Sequence, residues 1–304
     1  MKGYLLMKTY FNGINVPVLV PCKADGKIDE EKFCRHIKFL EASGVSGIFV
    51  GGTTGEFINF SESERQRQLE LAVQNADGLN ILYNVTAMNT GELKRHIKHA
   101  LTNGVECVSL TAPYYHKYDR AAILDYFELV SKLSEGSAMV VYNMPGMTGN
   151  AITADMLPEM VKRCPNLKGI KDSSMNFTNL QELKIAVPEE FEVITGNDAE
   201  ILPSLQLGCK GAIVALANVV PEICVGVNSA YEAGNLAAAR RYQDVLITLR
   251  KTCRATVPVM SHKYLLELRG MPMGEPRFPM RRLTENECAI LEKAFEPARA
   301  ILGI

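Results

Sequence analysis

The segment LKGIKDSS, residues 167–174, places a lysine at the end of an apolar run. Lys171 is followed at once by Asp172 and two serines. A lysine amine in an apolar, partly dehydrated setting has its charged form disfavoured, and the neutral amine can add to a ketone and lose water to give an iminium. The other interpretation is a lysine that reaches solvent at a strand end and pairs with Asp172. The position of Lys171 alone leaves both interpretations open.

Tyr142, the first residue of YNMPGMTG (142–149), could move protons for such an amine. Forming and dehydrating a carbinolamine requires a group that donates a proton and then recovers it, and a phenol can do both. Tyr142 ends the apolar run that precedes the run of Lys171, so the two strands would be neighbours in a barrel. The alternative is a half-buried strand tyrosine with no chemical role.

GGTTGE, residues 51–56, has the composition of a carboxylate-binding turn. Gly52 and the glycine before it permit close backbone approach, and Thr53 and Thr54 offer hydroxyl donors. A helix is predicted to begin near Ser61, shortly after the turn. The turn contains no Lys or Arg, which argues against a phosphate loop. The alternative is a glycine-rich turn that binds no ligand.

Eight short apolar runs are predicted to be the strands that position these groups. They are VPVLVP (16–21), GIFVGG (47–52), NILYNV (80–85), CVSLTAP (107–113), MVVYNMP (139–145), LKGIKD (167–172), FEVITGN (191–197) and GAIVALAN (211–218). Segments with helical periodicity separate them, including residues 61–76, where Ser61 and Glu64 have capping-box spacing. Continuous apolar runs suit a parallel sheet covered by helices, so we predict an α/β fold, a (β/α)8 TIM barrel, over residues 1–220. Only helical patterns follow, which predicts a C-terminal helical extension packed on the barrel over residues 221–304.

Composition argues against several functional classes. The chain has 304 residues and a formal net charge of −1, which gives no electrostatic footprint for nucleic acid or an anionic membrane. Its eight scattered cysteines contain no C-x-x-C pair, which argues against a disulfide framework and a structural zinc site. The N-terminal MKGYLLMK is too short for a signal-peptide core and no window reaches a membrane span, so a cytoplasmic location is expected.

His96 and His99 are three residues apart on a predicted helix and could be considered as metal ligands. Lys94, Arg95 and Lys98 surround them, and these cations disfavour a divalent ion. We therefore interpret this segment as a solvated helix face. No other cluster of His, Asp or Glu is seen at a strand end, and we predict no catalytic metal.

Five motifs, GGTTGE, PYY, YNMPGMTG, GIKDSS and TGND, occur in this order, and through them the chain resembles the dihydrodipicolinate synthase / N-acetylneuraminate lyase family. The resemblance covers nearly the whole chain. It implies a class I aldolase on a (β/α)8 barrel that forms a lysine Schiff base with a 2-oxo acid such as pyruvate, with an aldehyde as second reactant. It also implies that no cofactor or metal is needed and that the assembly is a homotetramer, a dimer of dimers.

The resemblance assigns roles residue by residue. The Schiff-base lysine falls on Lys171, the proton-shuttling tyrosine on Tyr142 and the threonine of the hydroxyl relay on Thr53. Thr54 matches the carboxylate-binding threonine, and Tyr115 matches the tyrosine that reaches into a neighbouring subunit's site. The other positions expected to contact substrate are Gly52, Met147, Ser173, Gly196, Asn197 and Ile213.

Met147 departs from the pattern of dihydrodipicolinate synthases, which carry an arginine in Y-N-x-P-x-R-T-G. A thioether cannot make the bidentate contact that the carboxylate of aspartate semialdehyde calls for. We therefore expect a 2-keto-3-deoxy sugar acid or sialic-acid-like substrate, with Ser173 near its distal hydroxyls. TGND and GAIVALANVVPE (211–222) look more like the synthase branch, so a dihydrodipicolinate synthase is the alternative. A barrel that binds an oxo acid without catalysis is a second alternative.

Overall fold

The computed structural model describes residues 9–304, so MKGYLLMK and the signal-peptide argument based on it lie outside the described residues. Eight parallel strands form a closed barrel, in which each strand pairs with the next and the last pairs with the first. They are β1 (Gly13–Pro17), β2 (Gly47–Val50), β3 (Asn80–Asn84), β4 (Cys107–Thr111), β5 (Ala138–Asn143), β6 (Leu167–Asp172), β7 (Glu192–Thr195) and β8 (Gly211–Ile213). The predicted (β/α)8 barrel is confirmed.

Twelve α-helices cover the barrel or follow it within residues 9–304. They are α1 (Glu30–Ala42), α2 (Glu62–Asn75), α3 (Thr90–Thr102), α4 (Arg120–Leu133), α5 (Pro145–Thr148), α6 (Leu157–Arg163), α7 (Phe177–Ile185), α8 (Ile201–Gln206), α9 (Pro221–Glu232), α10 (Leu236–Ala255), α11 (Pro258–Leu268) and α12 (Glu285–Leu302). Short 3-10 turns include Asp198–Glu200 and Ala215–Asn218. None of these twelve helices combines the length and the apolar character needed to cross a membrane.

The first strand lies earlier than its apolar run predicts. The run at 16–21 predicts a strand there, but β1 ends at Pro17. Beyond that point, Leu19 donates its backbone N–H to the side chain of Asn218 at 3.0 Å, and Pro21 has no N–H to donate. Residues 18–20 are buried all the same. The run therefore marks burial correctly but overestimates how far the strand pairing continues.

Helix α2 begins where the capping-box spacing predicts. The hydroxyl of Ser61 accepts the backbone N–H of Glu64 at 3.3 Å, and the carboxylate of Glu64 accepts the backbone N–H of Ser61 at 2.8 Å. Two amides that the first helical turn leaves without partners are satisfied in this way. The reciprocal bonds fix the start of α2 close behind the GGTTGE turn.

The interpretation of His96 as part of a solvated face is wrong. His96 is fully buried, and its ring shares a hydrogen bond of 2.9 Å with the hydroxyl of Tyr83 on β3. The buried positions of α3 are 93, 96, 97 and 100, which is the spacing of one helix face. His96 belongs to this stripe although cationic residues flank it in sequence. His99 is only partly exposed, with Nε2 3.5 Å from the carboxylate of Glu70.

Two buried histidines predict a loss of stability in mild acid. Burial lowers the pKa of His36 to about 4 and that of His96 to about 3, against 6.5 for an ordinary histidine. Below pH 6.5 the unfolded chain binds protons that the folded chain does not, so stability falls as the pH decreases. At pH 5 the loss should approach about 2 kcal/mol for each histidine.

Urea unfolding at pH 7, 6 and 5 measures this loss. His36→Gln should flatten the pH dependence, because glutamine does not titrate. Replacing the exposed His116 with glutamine is the matched control and should leave the slope unchanged. Equal slopes for wild type and His36→Gln would contradict the prediction.

The C-terminal helices pack on the barrel as an extension. Helix α10 packs along α9 and against the 3-10 turn Asp198–Glu200, while α11 and α12 pack on α10 and on each other. Helix α9 itself contacts β1 and α8, as a barrel helix does. The division of the chain at residue 220 stays a prediction.

Candidate active site

A cleft of about 350 Å³ opens at the carboxyl ends of the strands, the face at which barrel enzymes place their active sites. Side chains at the ends of β5, β6 and β8, the GGTTGE turn after β2, and helices α10 and α11 form its wall. Eight of the predicted site residues line it: Thr53, Thr54, Tyr142, Met147, Lys171, Ser173, Gly196 and Ile213.

Lys171 lies near the end of β6 with its amine turned into the barrel mouth. Its side chain is buried, and Nζ lies 4.1 Å from the ring centroid of Tyr142 and 5.0 Å from that of Phe49. Burial lowers the pKa of Lys171 below its ordinary 10.5, while Tyr142 and Asp198 act in the opposite direction. The surroundings of the amine therefore favour the neutral, nucleophilic form.

Asp172 is not the partner of Lys171. Successive strand residues point to opposite faces, so the two side chains diverge. The carboxylate of Asp172 accepts hydrogen bonds from Asn143 at 2.6 Å, Ser174 at 2.6 Å and Asn179 at 3.1 Å. Lys171 thus does not leave the barrel mouth to pair with its neighbour in sequence.

Tyr142 stands directly beside Lys171. The two residues are partners in the register between β5 and β6. The Tyr142 hydroxyl lies 3.3 Å from Oγ1 of Thr53 and 3.4 Å from the sulfur of Met144. A phenol in contact with the amine on one side and a hydroxyl on the other can pass a proton between them.

The Thr53–Thr54 turn forms another part of the cleft wall. Both threonines are half-buried and line the cleft. Gly52 is buried behind them, and a Cβ at this position would lie 3.1 Å from the ring of Phe49. The turn ends at Glu56, which has a left-handed backbone with φ of 56° and pairs with Lys263 of α11 at 2.8 Å.

Gly196 fills a position that admits no side chain. A Cβ built there would lie 1.9 Å from Oγ of Ser173 and 2.9 Å from Cε of Lys171. Gly196→Ala is therefore expected to destabilise the fold by about 1–3 kcal/mol through overpacking next to the amine. Urea unfolding measures this change. Adding Ser173→Gly should recover part of the loss, because it removes the nearest clashing atom.

Gly146→Ala is the matched control for that prediction. Gly146 lines the same cleft, and a Cβ there would have no neighbour within 4 Å. This variant should unfold like the wild type. Equal destabilisation by both alanines would show that the contact with Ser173 and Lys171 is not the cause.

Three predicted residues, Gly52, Tyr115 and Asn197, do not line the cleft of their own chain, and Met147 lies at its rim. Tyr115 is 89% exposed, with a left-handed backbone of φ 77°. Asn197 is buried, but its side chain donates to Glu200 at 2.5 Å and accepts the N–H of Ala199 at 3.2 Å, as the cap of a 3-10 turn. Met147 is 70% exposed at the rim.

Besides Ser174, four polar residues of the cleft were not among the predicted ones. Asp198 comes directly after Asn197 in the chain. Arg250 and Arg254 lie on α10, and His262 lies on α11. Burial lowers the pKa of His262, while the nearby Asp198 acts against that shift. The TGND motif could have pointed to Asp198. A search for polar residues at strand ends could not find Arg250, Arg254 or His262, because they come from the helical extension.

The side chains of the described residues do not provide a set of metal ligands. No group of three or more His, Cys, Asp or Glu side chains able to hold a metal ion occurs within residues 9–304. The phenol of Tyr142 and the carboxylate of Asp198 are the groups that act electrostatically on the Lys171 amine.

A barrel that holds a dehydrated lysine beside a phenol at the carboxyl ends of its strands is built for imine chemistry on an oxo acid. This defines a class I lyase, an enzyme that makes or breaks a carbon–carbon bond through a lysine Schiff base. The chain belongs to the dihydrodipicolinate synthetase family, whose sequence model matches residues 10–298. Members of this family are metal-independent lyases and aldolases that act on pyruvate.

Individual relatives fall on different branches of this family. The chain is 33% identical to the 4-hydroxy-tetrahydrodipicolinate synthase of Methanosarcina barkeri, over 91% of this chain and 94% of the relative. Its fold matches YagE of E. coli K12, a member of the dihydrodipicolinic acid synthase family solved with pyruvate, with a TM-score of 0.91, 28% identity and coverage of 95% and 98%. A catalytic lysine mutant of the Ruminococcus gnavus sialic acid aldolase matches with a TM-score of 0.89, 25% identity and 95% coverage of each chain.

Proposed function

We propose that the protein is a pyruvate-dependent class I aldolase that cleaves or forms a 2-keto-3-deoxy sugar acid or sialic-acid-like substrate. The observation that carries this proposal is the buried amine of Lys171 in direct register with Tyr142, whose hydroxyl contacts Thr53. The presence of a complete imine-forming set in one cleft argues against a barrel that only binds an oxo acid.

The proposed reaction begins with attack of the neutral Lys171 amine on the ketone of the 2-oxo acid. Thr53 and Thr54 hold the adjacent carboxylate, and Tyr142 donates a proton to the oxygen that leaves as water, giving the iminium. Tyr142 then takes the proton of the C4 hydroxyl as the C3–C4 bond breaks. The bonding electrons pass into the iminium to form an enamine, and the aldehyde departs. Protonation at C3 and hydrolysis release pyruvate and restore Lys171.

Tyr142→Phe should lower the rate of imine formation by about 100-fold, because the proton carrier is lost while the ring stays in place. Single-turnover trapping of pyruvate with borohydride measures the rate. The fold should be unaffected, since the hydroxyl contacts side chains of the cleft, Thr53, Met144 and Lys171, and the ring keeps its packing. The control is Tyr126→Phe, which removes a buried hydroxyl that has no partner in the described chain. Equal trapping by Tyr142→Phe and the wild type would rule out the shuttle.

Met147 favours the aldolase over the synthase. An exposed thioether stands where a synthase would carry an arginine for the carboxylate of aspartate semialdehyde. A dihydrodipicolinate synthase with another carboxylate-binding group is the second candidate, favoured by the 33% identity to a named synthase. A panel of 2-keto-3-deoxy acids, sialic acid and aspartate semialdehyde, scored by pyruvate release or consumption, separates the two.

Tyr115 supports a proposed homotetramer. An aromatic ring that is 89% exposed on a left-handed backbone is costly in a lone chain, and a neighbouring subunit's cleft would bury it. Sedimentation analysis tests the assembly. A monomer that retains full activity would contradict this role of Tyr115.

Reduction with borohydride in the presence of pyruvate tests the proposed chemistry. Intact mass should show one pyruvate adduct per chain, and peptide mapping should place it on Lys171. Absence of an adduct, or an adduct on another lysine, would overturn the mechanism.

A further inference from the structure

Two arginines face the cleft from α10 without a carboxylate partner. Arg250 and Arg254 are four residues apart, on one face of the helix, and both line the cleft that contains Lys171. Within residues 9–304, no carboxylate oxygen lies within 4.0 Å of either guanidinium. Arg67 and Arg163 illustrate the contrast, since they pair with carboxylates at 2.7 Å and 2.5 Å.

Arg250 keeps most of its hydrogen-bonding capacity free for a ligand. It is half-buried, and one N–H group lies 2.8 Å from the sulfur of Met175, a weak acceptor. A guanidinium carries five N–H donors in a fork that matches a carboxylate or phosphate. A partly dehydrated cation with so few acceptors is unfavourable unless an anion joins it.

The nearest acidic groups do not replace such an anion. Asp198 and Glu200 attract Arg250 only from a distance. Asp198 accepts the backbone N–H of Leu216 at 2.7 Å, and Glu200 accepts from Asn197 at 2.5 Å. Arg254 adds a second positive charge one helical turn away from Arg250. The two like charges repel each other, so the free energy of this end of the cleft is higher when no anion is bound.

We propose that Arg250 and Arg254 bind an anionic group, a carboxylate or a phosphate, on the aldehyde half of the substrate. This inference rests on the proposed aldolase function. The carboxylate of the 2-oxo acid is assigned to Thr53 and Thr54, so the arginines at α10 require a second anion. The substrate then carries two anionic groups: the carboxylate of the 2-oxo acid and a further carboxylate or a phosphate beyond C4.

Matched pairs of aldehydes test this inference in the direction of condensation with pyruvate. Glyceraldehyde 3-phosphate is compared with glyceraldehyde, and succinate semialdehyde with butanal. The anionic member of at least one pair should have a kcat/KM at least about 10-fold higher than its neutral counterpart, because charge-assisted bidentate contacts form only with the anion. The pair with the larger ratio identifies phosphate or carboxylate as the group bound.

Arg250→Gln and Arg254→Gln should each reduce this preference by about 10-fold, mainly by lowering kcat/KM for the anionic aldehyde. Lys251→Gln is the matched control, since Lys251 is an exposed cation on the same helix that does not line the cleft, and it should keep the preference. Arg254 is exposed, so its variant decides the question if Arg250→Gln does not fold.

Four results would overturn the inference. They are equal kcat/KM within both pairs for the wild type, an equal loss for both members of a pair in the variants, loss of the preference in Lys251→Gln, and no turnover of any aldehyde by a protein that traps pyruvate. Failure of the proposed imine chemistry looks different, because the wild type would then form no imine with pyruvate at all. A dihydrodipicolinate synthase would instead trap pyruvate but consume it only with aspartate semialdehyde.

Discussion

Lys171→Met is expected to abolish reductive trapping of pyruvate and to lower kcat/KM by at least about four orders of magnitude. No other group in the cleft can form the covalent imine, so the variant loses the electron sink on which carbon–carbon cleavage depends. Lys168→Met is the matched control, because Lys168 lies on the same strand with its amine bonded to the carbonyl of Pro165 outside the cleft. Trapping that persists in Lys171→Met would place the nucleophile elsewhere.

The same variant should be more stable than the wild type at neutral pH. Burial lowers the pKa of Lys171 in the folded chain, so the unfolded chain binds the proton more readily. Wild-type stability should therefore rise with pH between the lowered pKa and the ordinary 10.5. Methionine removes the titrating group, so the rise should be smaller in the variant. Urea unfolding at pH 7 and pH 9.5 measures both effects, and a variant less stable than the wild type would contradict them.

The pairing of Tyr142 with Lys171 was predictable because strand order in a barrel follows chain order. Apolar runs that end in polar residues mark the carboxyl face, and successive runs make neighbouring strands. The structure places the two residues in direct register. Thr53 was within reach of the same reasoning, since its turn follows another strand at that face.

The helical side of the cleft was not predictable in this way. Helical periodicity shows which face of α10 or α11 is buried, but not where on the barrel the helix docks. The sequence therefore did not indicate that Arg250 and His262 line the cleft. Asn197 shows a second limit. A short amide side chain after a strand can serve a ligand or cap the next turn, and here it caps. His96 shows a third limit, because flanking charges in sequence concealed a buried position.

The pair between Glu56 and Lys263 connects the Thr53–Thr54 turn to the helical extension, and breaking it should have the second largest effect. Both side chains are at most 2% exposed, and Oε2 of Glu56 has no hydrogen-bond partner in the described chain. Lys263→Met would leave the carboxylate buried without a counter-charge. We expect the free energy of unfolding to fall by about 3–5 kcal/mol. The KM for pyruvate should rise as well, because Glu56 ends the turn that carries both threonines.

A double-mutant cycle separates the charge from the packing. Glu56→Gln combined with Lys263→Met removes both charges and should be more stable than Lys263→Met alone, since no buried ion is left unpaired. The control is Arg67→Met, which breaks the partly exposed pairs with Glu30 and Glu70 and should cost less than about 1 kcal/mol. A double variant as unstable as Lys263→Met would mean that the lysine stabilises the fold through packing. The backbone of Glu56, rather than the ion pair, would then position the turn.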